Sequence, residues 1–480
     1  MKKKSSNFLT YELYENLEYL LLFSFLAVSI YLVFHSFFNF EKLGRLLFNP
    51  YYGVDEIWSL GSAQCWIKNP LILLNRIYEP LYALLFTPFL FLSPYHILLV
   101  GRLSSSFFSF LTLFFFSKIL RLNKTDRKLI ILTLFLFVFH PLFLFFSAAM
   151  MSEVFFSFLL CLFFYCLLRR KIKSSFILAI MLPFVRTEGI IYTSFYFLYL
   201  FFNKRYKLVI ILFLFFLSIS LVSLLFTEDI MGFRICLEHS RHFFAWKFQG
   251  IKTFLDNFWP FLFFISFYFL RVFKHLKLSF EREEETIIYL ATLTYILFLV
   301  SAPAILRRDA DLGHFLPLLP PLFIIATNAL KVIKRRTFRF FAYSLLVLWF
   351  VYWWLRPLPL FRMNAEVPFS LIDLEKSGLD ARVENYIKDD KIERVYLHEG
   401  LYLLELQNEK CKFFSDKLYD YYPFSPWEFF SRYYTKPFFE KEVKKNSIII
   451  ISTTKDYNCE TFGGKLIETF PNLKLGICKI

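Results

Sequence analysis

Residues 17–40 read LEYLLLFSFLAVSIYLVFHSFFNF, and this stretch decides the class of the fold. An apolar run of about 17 or more residues can cross the roughly 30 Å hydrocarbon layer of a bilayer as a helix. Comparable runs recur as far as residues 338–355. The chain of 480 residues is 57% hydrophobic and 22% aromatic, with a mean hydropathy of +0.50, which exceeds what a soluble core needs. The sequence therefore predicts an α-helical polytopic membrane protein with about 10–12 spans.

The basic residues predict the orientation, because short positively charged loops stay on the cytoplasmic side. Every basic cluster can face the cytoplasm if two apolar segments do not span. Residues 80–92 are too short and are expected to form an interfacial helix on the outer leaflet. Residues 174–202 are interrupted by Arg186-Thr187-Glu188-Gly189 and are expected to form two short helices that turn back. The N-terminus of this multi-pass cell-membrane protein is then cytoplasmic. The basic clusters are residues 2–4, 118–128, 169–173, 204–207, 271–277 and 331–339.

Two domains follow from the same pattern: a transmembrane domain, residues 1–355, and a small extracytoplasmic α/β domain, residues 356–480. In the second domain, β-branched runs predict strands at residues 394–397 and 447–452, with a helix around residues 370–388. No Gly-rich phosphate loop or nucleophile motif occurs there, so we expect acceptor contact or a structural lid. Cys411, Cys459 and Cys478 lie in this domain, where a disulfide can form but its pairing is open.

The net charge of +16 belongs entirely to the transmembrane domain, because residues 356–480 carry 19 basic and 19 acidic residues. Topology and contact with anionic lipids account for such an excess. Membrane lipids are therefore expected partners, and nucleic acid is not.

An acidic pair, Asp55-Glu56, lies in the outer loop formed by residues 41–95. The loop also holds Tyr82, and Arg102 follows where the second span opens. Taken alone, Asp55 is also explained as the N-cap of a helix beginning at Glu56. Neighbouring residues on a helix point in different directions, so the two carboxylates are not expected to face each other as in glycoside hydrolysis.

Other charged residues occupy membrane depths where they cost free energy, which makes them functional candidates. Glu153 lies at the outer end of the fourth span, and Arg186 and Glu188 break an apolar run. Arg307 and Arg308 lie on the outer side, against the positive-inside trend. Two plainer explanations stay open: an ion pair of Arg186 with Glu188 that closes a hairpin, and an anchoring role for Arg307 and Arg308 at lipid phosphates.

Taken together, these residue types suit a reaction at the membrane surface. Guanidinium groups match phosphate oxygens, and a carboxylate can take a proton from an incoming hydroxyl or amine. A lipid-linked sugar phosphate would use both groups. Its leaving group is already a stabilised phosphate anion, so one carboxylate base is enough.

The order of these motifs resembles the GT-C membrane glycosyltransferases, over about residues 15–355. One span precedes the Asp55-Glu56 loop, a Glu79-Pro80-Leu81-Tyr82 helix follows, and the second span opens with Gly101-Arg102-Leu103. The chain is most similar to the protein O-mannosyltransferase and aminoarabinose-transferase branch. Three later segments also fit. Met151-Ser152-Glu153 falls at a second acidic position, residues 186–189 are similar to an Arg-Pro-Glu-Gly stretch, and His314 precedes a Leu-Pro-rich span.

The resemblance implies inverting transfer of a sugar from a polyprenyl-phosphate donor to an acceptor on the extracytoplasmic face. It makes Asp55 the catalytic base, with Glu56 beside it and Glu153 as the second acidic residue. It assigns Arg102, Arg307 and Arg308 to the donor phosphate. Further substrate contacts are expected from Tyr82, Arg186, Glu188 and His314.

Some features depart from that family or stay open. No His-Pro pair precedes Asp55, where Val54 stands, so the branch and the acceptor, whether lipid, glycan or protein, are undetermined. No cofactor or metal site is predicted, and a divalent metal ion stays open.

Two other classes of protein compete. A transporter or flippase usually holds its charges at the bilayer midplane between paired repeats, whereas most unusual charges here lie at the outer boundary. A polymerase or ligase of cell-surface glycans would also use arginines on the outer face.

Overall fold

The structure is a computed structural model, and it is mostly helical with a small sheet near the C-terminus. It describes residues 2–38, 80–89, 91–92, 94–227, 249–275, 283–305, 315–333, 335–355, 394–397, 447–452, 464–470 and 475–479.

Most of the described residues are helical, and two of the helices adjoin 3₁₀ turns, at Thr87–Phe89 and Leu316–Leu318. The helices are α1 Lys2–Phe38, α2 Pro80–Phe86, α3 Pro94–Leu122, α4 Arg127–Val138, α5 Pro141–Ser147, α6 Ser152–Leu168, α7 Ile172–Val185, α8 Gly189–Phe202, α9 Tyr206–Thr227, α10 Gln249–His275, α11 Glu283–Ile305, α12 Leu319–Val332 and α13 Arg336–Leu355.

Three helices in the described part are long and apolar enough to cross a membrane, within α1, α3 and α13. A fourth span results if α4 and α5 are taken as one, although they meet at 61°. The bend follows from Pro141, because a residue before proline avoids the helical region. His140 accordingly has φ −67° and ψ 123°. These helices agree with a helical membrane protein, and α6, α7, α8 and α12 are shorter apolar helices.

Helices α1 and α3 run antiparallel. Near one end, Arg121 Nη2 lies 2.6 Å from Glu18 Oε2. Near the other, Ser29 Oγ donates to Ser106 Oγ at 2.7 Å. The N-terminal part of α1 and the basic segment 118–128 therefore lie at the same end of the bundle, as the predicted orientation requires.

Three helix ends on this basic side close in the same way. Lys124, Arg170 and Lys204 have φ of 54°, 55° and 56°, in the left-handed region where glycine usually ends a helix. A basic side chain there complements the partial negative charge of the helix C-terminus. In each case the next N–H bonds a carbonyl five residues back; the bonds are Thr125 to Leu120 at 3.1 Å, Lys171 to Cys166 at 2.9 Å and Arg205 to Leu200 at 2.9 Å.

The predicted pair of short helices is confirmed: α7 and α8 form a hairpin whose turn holds Arg186, Thr187 and Glu188. Each helix has 14 residues, about 21 Å at 1.5 Å per residue. The Ser175 and Tyr196 hydroxyls meet at 2.9 Å across the hairpin. Each arm is therefore too short for a roughly 30 Å layer, as expected for segments that turn back.

Two sequence features shape this hairpin. Pro183 lies inside α7 and has no N–H for the Ala179 carbonyl, and Thr193 Oγ1 donates to that carbonyl instead, at 2.6 Å. Gly189 begins α8 where the chains touch. A Cβ at Gly189 would lie 2.3 Å from the Leu182 carbonyl carbon, so only glycine fits without a backbone shift.

The described part of the C-terminal region is a four-stranded sheet in the order β1-β2-β4-β3. Strand β1 pairs in parallel with β2, and β4 lies antiparallel between β2 and β3. The first two strands coincide with the predicted segments, and the predicted helix at residues 370–388 lies outside the described residues. The strands are β1 Arg394–Leu397, β2 Ser447–Ser452, β3 Lys465–Phe470 and β4 Leu475–Lys479.

Candidate functional site

Five of the predicted site residues are described, and all five side chains are buried. They are Tyr82, Arg102, Glu153, Arg186 and Glu188. The other five lie outside the described residues; they are Asp55, Glu56, Arg307, Arg308 and His314.

A buried ionic cluster joins three of these residues. Arg186 Nη1 lies 2.6 Å from Glu153 Oε1, and Arg186 Nη2 lies 3.1 Å from Glu188 Oε1. Arg186 ends α7 in an extended conformation, and Glu153 stands in the first turn of α6. The plainer explanation, an ion pair of Arg186 with Glu188, is thus correct as geometry, but the arginine also ties the hairpin to α6.

Two neighbouring hydroxyls add hydrogen bonds to the cluster. Arg186 Nη1 donates to Ser152 Oγ at 2.9 Å, and that hydroxyl donates to Glu153 Oε2 at 3.4 Å. Thr187 Oγ1 donates to Glu188 Oε2 at 3.3 Å. All four carboxylate oxygens therefore accept a contact, which offsets part of the desolvation cost of buried charges. The two carboxyl groups share one guanidinium.

The cluster and Arg102 lie at a common depth. Three charged residues each stand sixteen positions before a basic residue of the predicted cytoplasmic side. Sixteen residues of helix rise about 24 Å, somewhat less than the roughly 30 Å hydrocarbon layer. All three therefore lie at about the same distance from the basic side of the bundle. The pairs are Arg102 with Lys118, Glu153 with Arg169, and Glu188 with Lys204.

Helix α3 brings Arg102 to the same end as the cluster. A Cβ added to Gly101 would lie 2.2 Å from Met150 Sδ, so the absence of a side chain lets α3 approach the residues before α6. The two helices run in the same direction, since Phe108 packs on Phe155 at 4.8 Å and Phe115 on Tyr165 at 5.5 Å between ring centroids.

Tyr82 brings the end of the outer loop to the same place. It lies in α2, which packs against α7, and its ring is 6.0 Å from that of Phe155, two residues beyond Glu153. Pro80, Ala83 and Phe86 of this helix are also buried. A short helix is confirmed here, although it ends at Phe86 with a 3₁₀ turn to Phe89 and so is shorter than the predicted residues 80–92, and one of its sides packs against protein.

Several members of the site were not predicted. Ser152 and Thr187 are adjacent in sequence to predicted residues, which was the available signal. Tyr295 of α11 is fully buried and interacts electrostatically with Glu153, Arg186 and Glu188, and nothing in its sequence context marks it. Among the described residues, no three His, Cys, Asp or Glu side chains gather as a metal ion would require.

Comparisons of the chain with protein-family models, with characterised proteins and with solved structures found no match. The resemblance to the GT-C glycosyltransferases therefore stays a prediction, and the site itself must carry the functional argument.

Proposed function

We propose that this protein is an integral membrane glycosyltransferase with a GT-C-like arrangement of about 10–12 spans. It moves a sugar from a polyprenyl-phosphate donor to a lipid, glycan or protein acceptor on the extracytoplasmic face, with inversion. One observation carries the proposal: Tyr82, at the end of the outer loop, packs on Phe155 beside the buried cluster of Glu153, Arg186 and Glu188.

The proposed chemistry divides the roles among these residues. Asp55 takes the proton from the acceptor as it attacks the sugar carbon, and the donor phosphate leaves with the bonding electrons. Arg102, Arg307 and Arg308 bind that phosphate. A single displacement of this kind inverts the sugar carbon.

Glu153 and Glu188 are proposed to hold Arg186 rather than to exchange protons, because both Nη atoms of Arg186 already contact these carboxylates. A guanidinium held by two carboxylates keeps the side chains of the site in fixed positions. In this role Glu153 is a positioning residue, while Glu56 stays with Asp55 as its neighbour in the motif.

The proposed sidedness rests on two supports. The cluster lies at the end of α6 opposite the basic turn at residues 169–173. Cys478 of β4 is disulfide-bonded, and disulfides persist in oxidising compartments outside the cytoplasm. Both observations favour an extracytoplasmic site and an extracytoplasmic C-terminal domain.

A transporter or flippase is the alternative class. Its charges would be expected at the midplane, whereas Glu153 lies sixteen residues of helix, about 24 Å, from Arg169 on the basic side. A glycan polymerase or ligase would share the arginines, so the donor distinguishes it from the proposed enzyme.

The test is sugar transfer by the purified full chain in lipid vesicles with membrane extract as acceptor. Radiolabelled polyprenyl-monophosphate sugars, polyprenyl-diphosphate glycans and nucleotide sugars are supplied separately. Transfer from a monophosphate donor alone is the expected result. Transfer only from a diphosphate-linked glycan would favour the polymerase or ligase. Labelled lipid that crosses the bilayer without transfer would favour the flippase.

A further inference from the structure

A polar stripe on α3 begins at Arg102 and runs towards the middle of the membrane. Arg102, Ser105 and Ser109 are three and four positions apart, so they lie along one face of the helix. Their relative exposures are 6%, 1% and 0%. The same helix also buries Ser106 and Thr112, whose hydroxyls are hydrogen-bonded.

The two serines differ from the other buried Ser and Thr hydroxyls of the described helices. Those hydroxyls commonly donate to the carbonyl four residues back, which satisfies them within their own helix. Within the described part, neither Ser105 Oγ nor Ser109 Oγ has a hydrogen-bond partner. The back-bonded examples are Thr112 at 2.8 Å, Thr133 at 2.7 Å, Ser157 at 2.7 Å, Thr292 at 2.6 Å and Thr327 at 2.6 Å.

A buried hydroxyl without a partner destabilises the fold, and alanine would avoid that cost. Two such hydroxyls, one helical turn apart and following an arginine, therefore point to a ligand that accepts hydrogen bonds and carries negative charge. Gly101 packs against Met150 immediately above them, so the stripe starts beside the cluster formed by Glu153 and Arg186.

We propose that Ser105 and Ser109 bind the phosphate of the lipid donor together with Arg102, a role that rests on the proposed function. The Cβ atoms of residues four apart on a helix are about 5–6 Å apart. Two O–H···O bonds of about 2.7 Å can converge from that separation on different oxygens of one phosphate. The guanidinium of Arg102 supplies the compensating charge, and the hydroxyls orient the phosphate below it.

The experiment measures binding rather than transfer. The full chain is reconstituted in phosphatidylcholine vesicles with radiolabelled polyprenyl monophosphate, and the dissociation constant is compared for wild type, Ser105→Ala and Ser109→Ala. Each alanine is expected to weaken binding about tenfold, as for loss of a hydrogen bond to a charged group. Ser105→Thr keeps a hydroxyl and should retain most of the affinity. Thr112→Val is the control on the same helix, because the Thr112 hydroxyl is already bonded to Phe108.

Thermal unfolding of the ligand-free variants separates binding from structure. Ser105→Ala and Ser109→Ala should not lower the midpoint, because they remove hydroxyls that make no hydrogen bond. Lower midpoints with unchanged affinity would overturn the proposal and make the serines structural.

Two further arms distinguish the source of the phosphate. Phosphatidic acid, which also presents a phosphate monoester, should compete poorly with polyprenyl monophosphate. Equal competition would show a general site for phospholipids instead of a donor site. If wild-type protein transfers sugar and both alanine variants bind polyprenyl monophosphate normally, the serine site is contradicted and the proposed glycosyltransferase function is not. Serine-dependent binding without transfer from any donor would support the phosphate site and contradict the proposed glycosyltransferase function.

Discussion

Arg186 Nη1 and Glu153 Oε1 lie 2.6 Å apart, which ties the turn between α7 and α8 to the first turn of α6. Both side chains are buried, and the same guanidinium also meets Glu188. Removing one partner of a buried ion pair leaves an uncompensated charge, which is much more costly than losing an exposed pair. The stability of the site therefore depends on Arg186.

Arg186→Met should lower the free energy of unfolding by about 3–5 kcal/mol, because two buried carboxylates then lose their counter-charge. Glu15→Gln is the control, since Glu15 pairs with Arg121 at 3.5 Å and neither side chain is buried, at 32% and 28% exposed. This control change should lower the free energy of unfolding by about 1 kcal/mol or less. Unfolding of both variants in detergent, followed by circular dichroism, makes the comparison. Equal losses would contradict a buried cluster that depends on Arg186.

Gly189→Ala should destabilise the hairpin strongly, because its Cβ would meet the Leu182 backbone at 2.3 Å to carbon and 2.4 Å to oxygen. Gly101→Ala is the comparison: its Cβ would meet Met150, mainly at the flexible end of the side chain. We expect a clearly lower unfolding midpoint for Gly189→Ala than for Gly101→Ala, in the same detergent. The reverse order would show that the close approach at Gly189 is not structural.

Thr193→Val should lower the free energy of unfolding by about 1–3 kcal/mol, because the buried Ala179 carbonyl loses its hydroxyl donor. In a Pro183→Ala background the restored N–H of residue 183 can bond that carbonyl within the helix. The same Thr193→Val change should then cost much less. A double-mutant cycle on unfolding free energies measures this coupling. Additive effects would show that the Thr193 hydroxyl does not substitute for the N–H that Pro183 lacks.

The disulfide at Cys478 predicts where the C-terminal domain lies. Its partner lies outside the described residues, since Cys161 and Cys166 are free thiols. Because Cys478 is buried, cells are denatured in the presence of a thiol reagent, which should label Cys478 only after reduction. Labelling is read by mass spectrometry, with Cys478→Ser as the control. A Cys478 thiol that is free before reduction would argue for the cytoplasmic side.

Much of the fold could be predicted because it depends on local patterns. The hairpin turn was predicted from Arg186 and Glu188 interrupting an apolar run between basic flanks, and strands β1 and β2 from their β-branched runs. These features are set by hydrophobicity, charge and propensity within a few residues. The bend at His140 has a local signal too, in Pro141, but it was not predicted.

The composition of the site could be predicted only in part, because its contacts are set by packing. Glu153 and Arg186 are far apart in sequence, and their pairing depends on how α7 approaches α6. Tyr295 comes from α11, and its place beside the cluster has no local signal. The hydroxyls of Ser29, Ser106 and Ser147, which meet within α1, α3 and α5, were missed for the same reason.

Asp55, on the outer loop, is proposed to be the base that drives sugar transfer at this site. The most direct measurement is the transfer rate from a polyprenyl-phosphate sugar for wild type and Asp55→Asn, at donor concentrations that saturate both. Asp126→Asn is the control, because Asp126 only caps α4 on the basic side, at 3.4 Å from the Lys128 amide. We predict that Asp55→Asn binds the donor normally and loses transfer by at least about a hundredfold, while Asp126→Asn transfers normally. Transfer by Asp55→Asn at the wild-type rate would contradict the account.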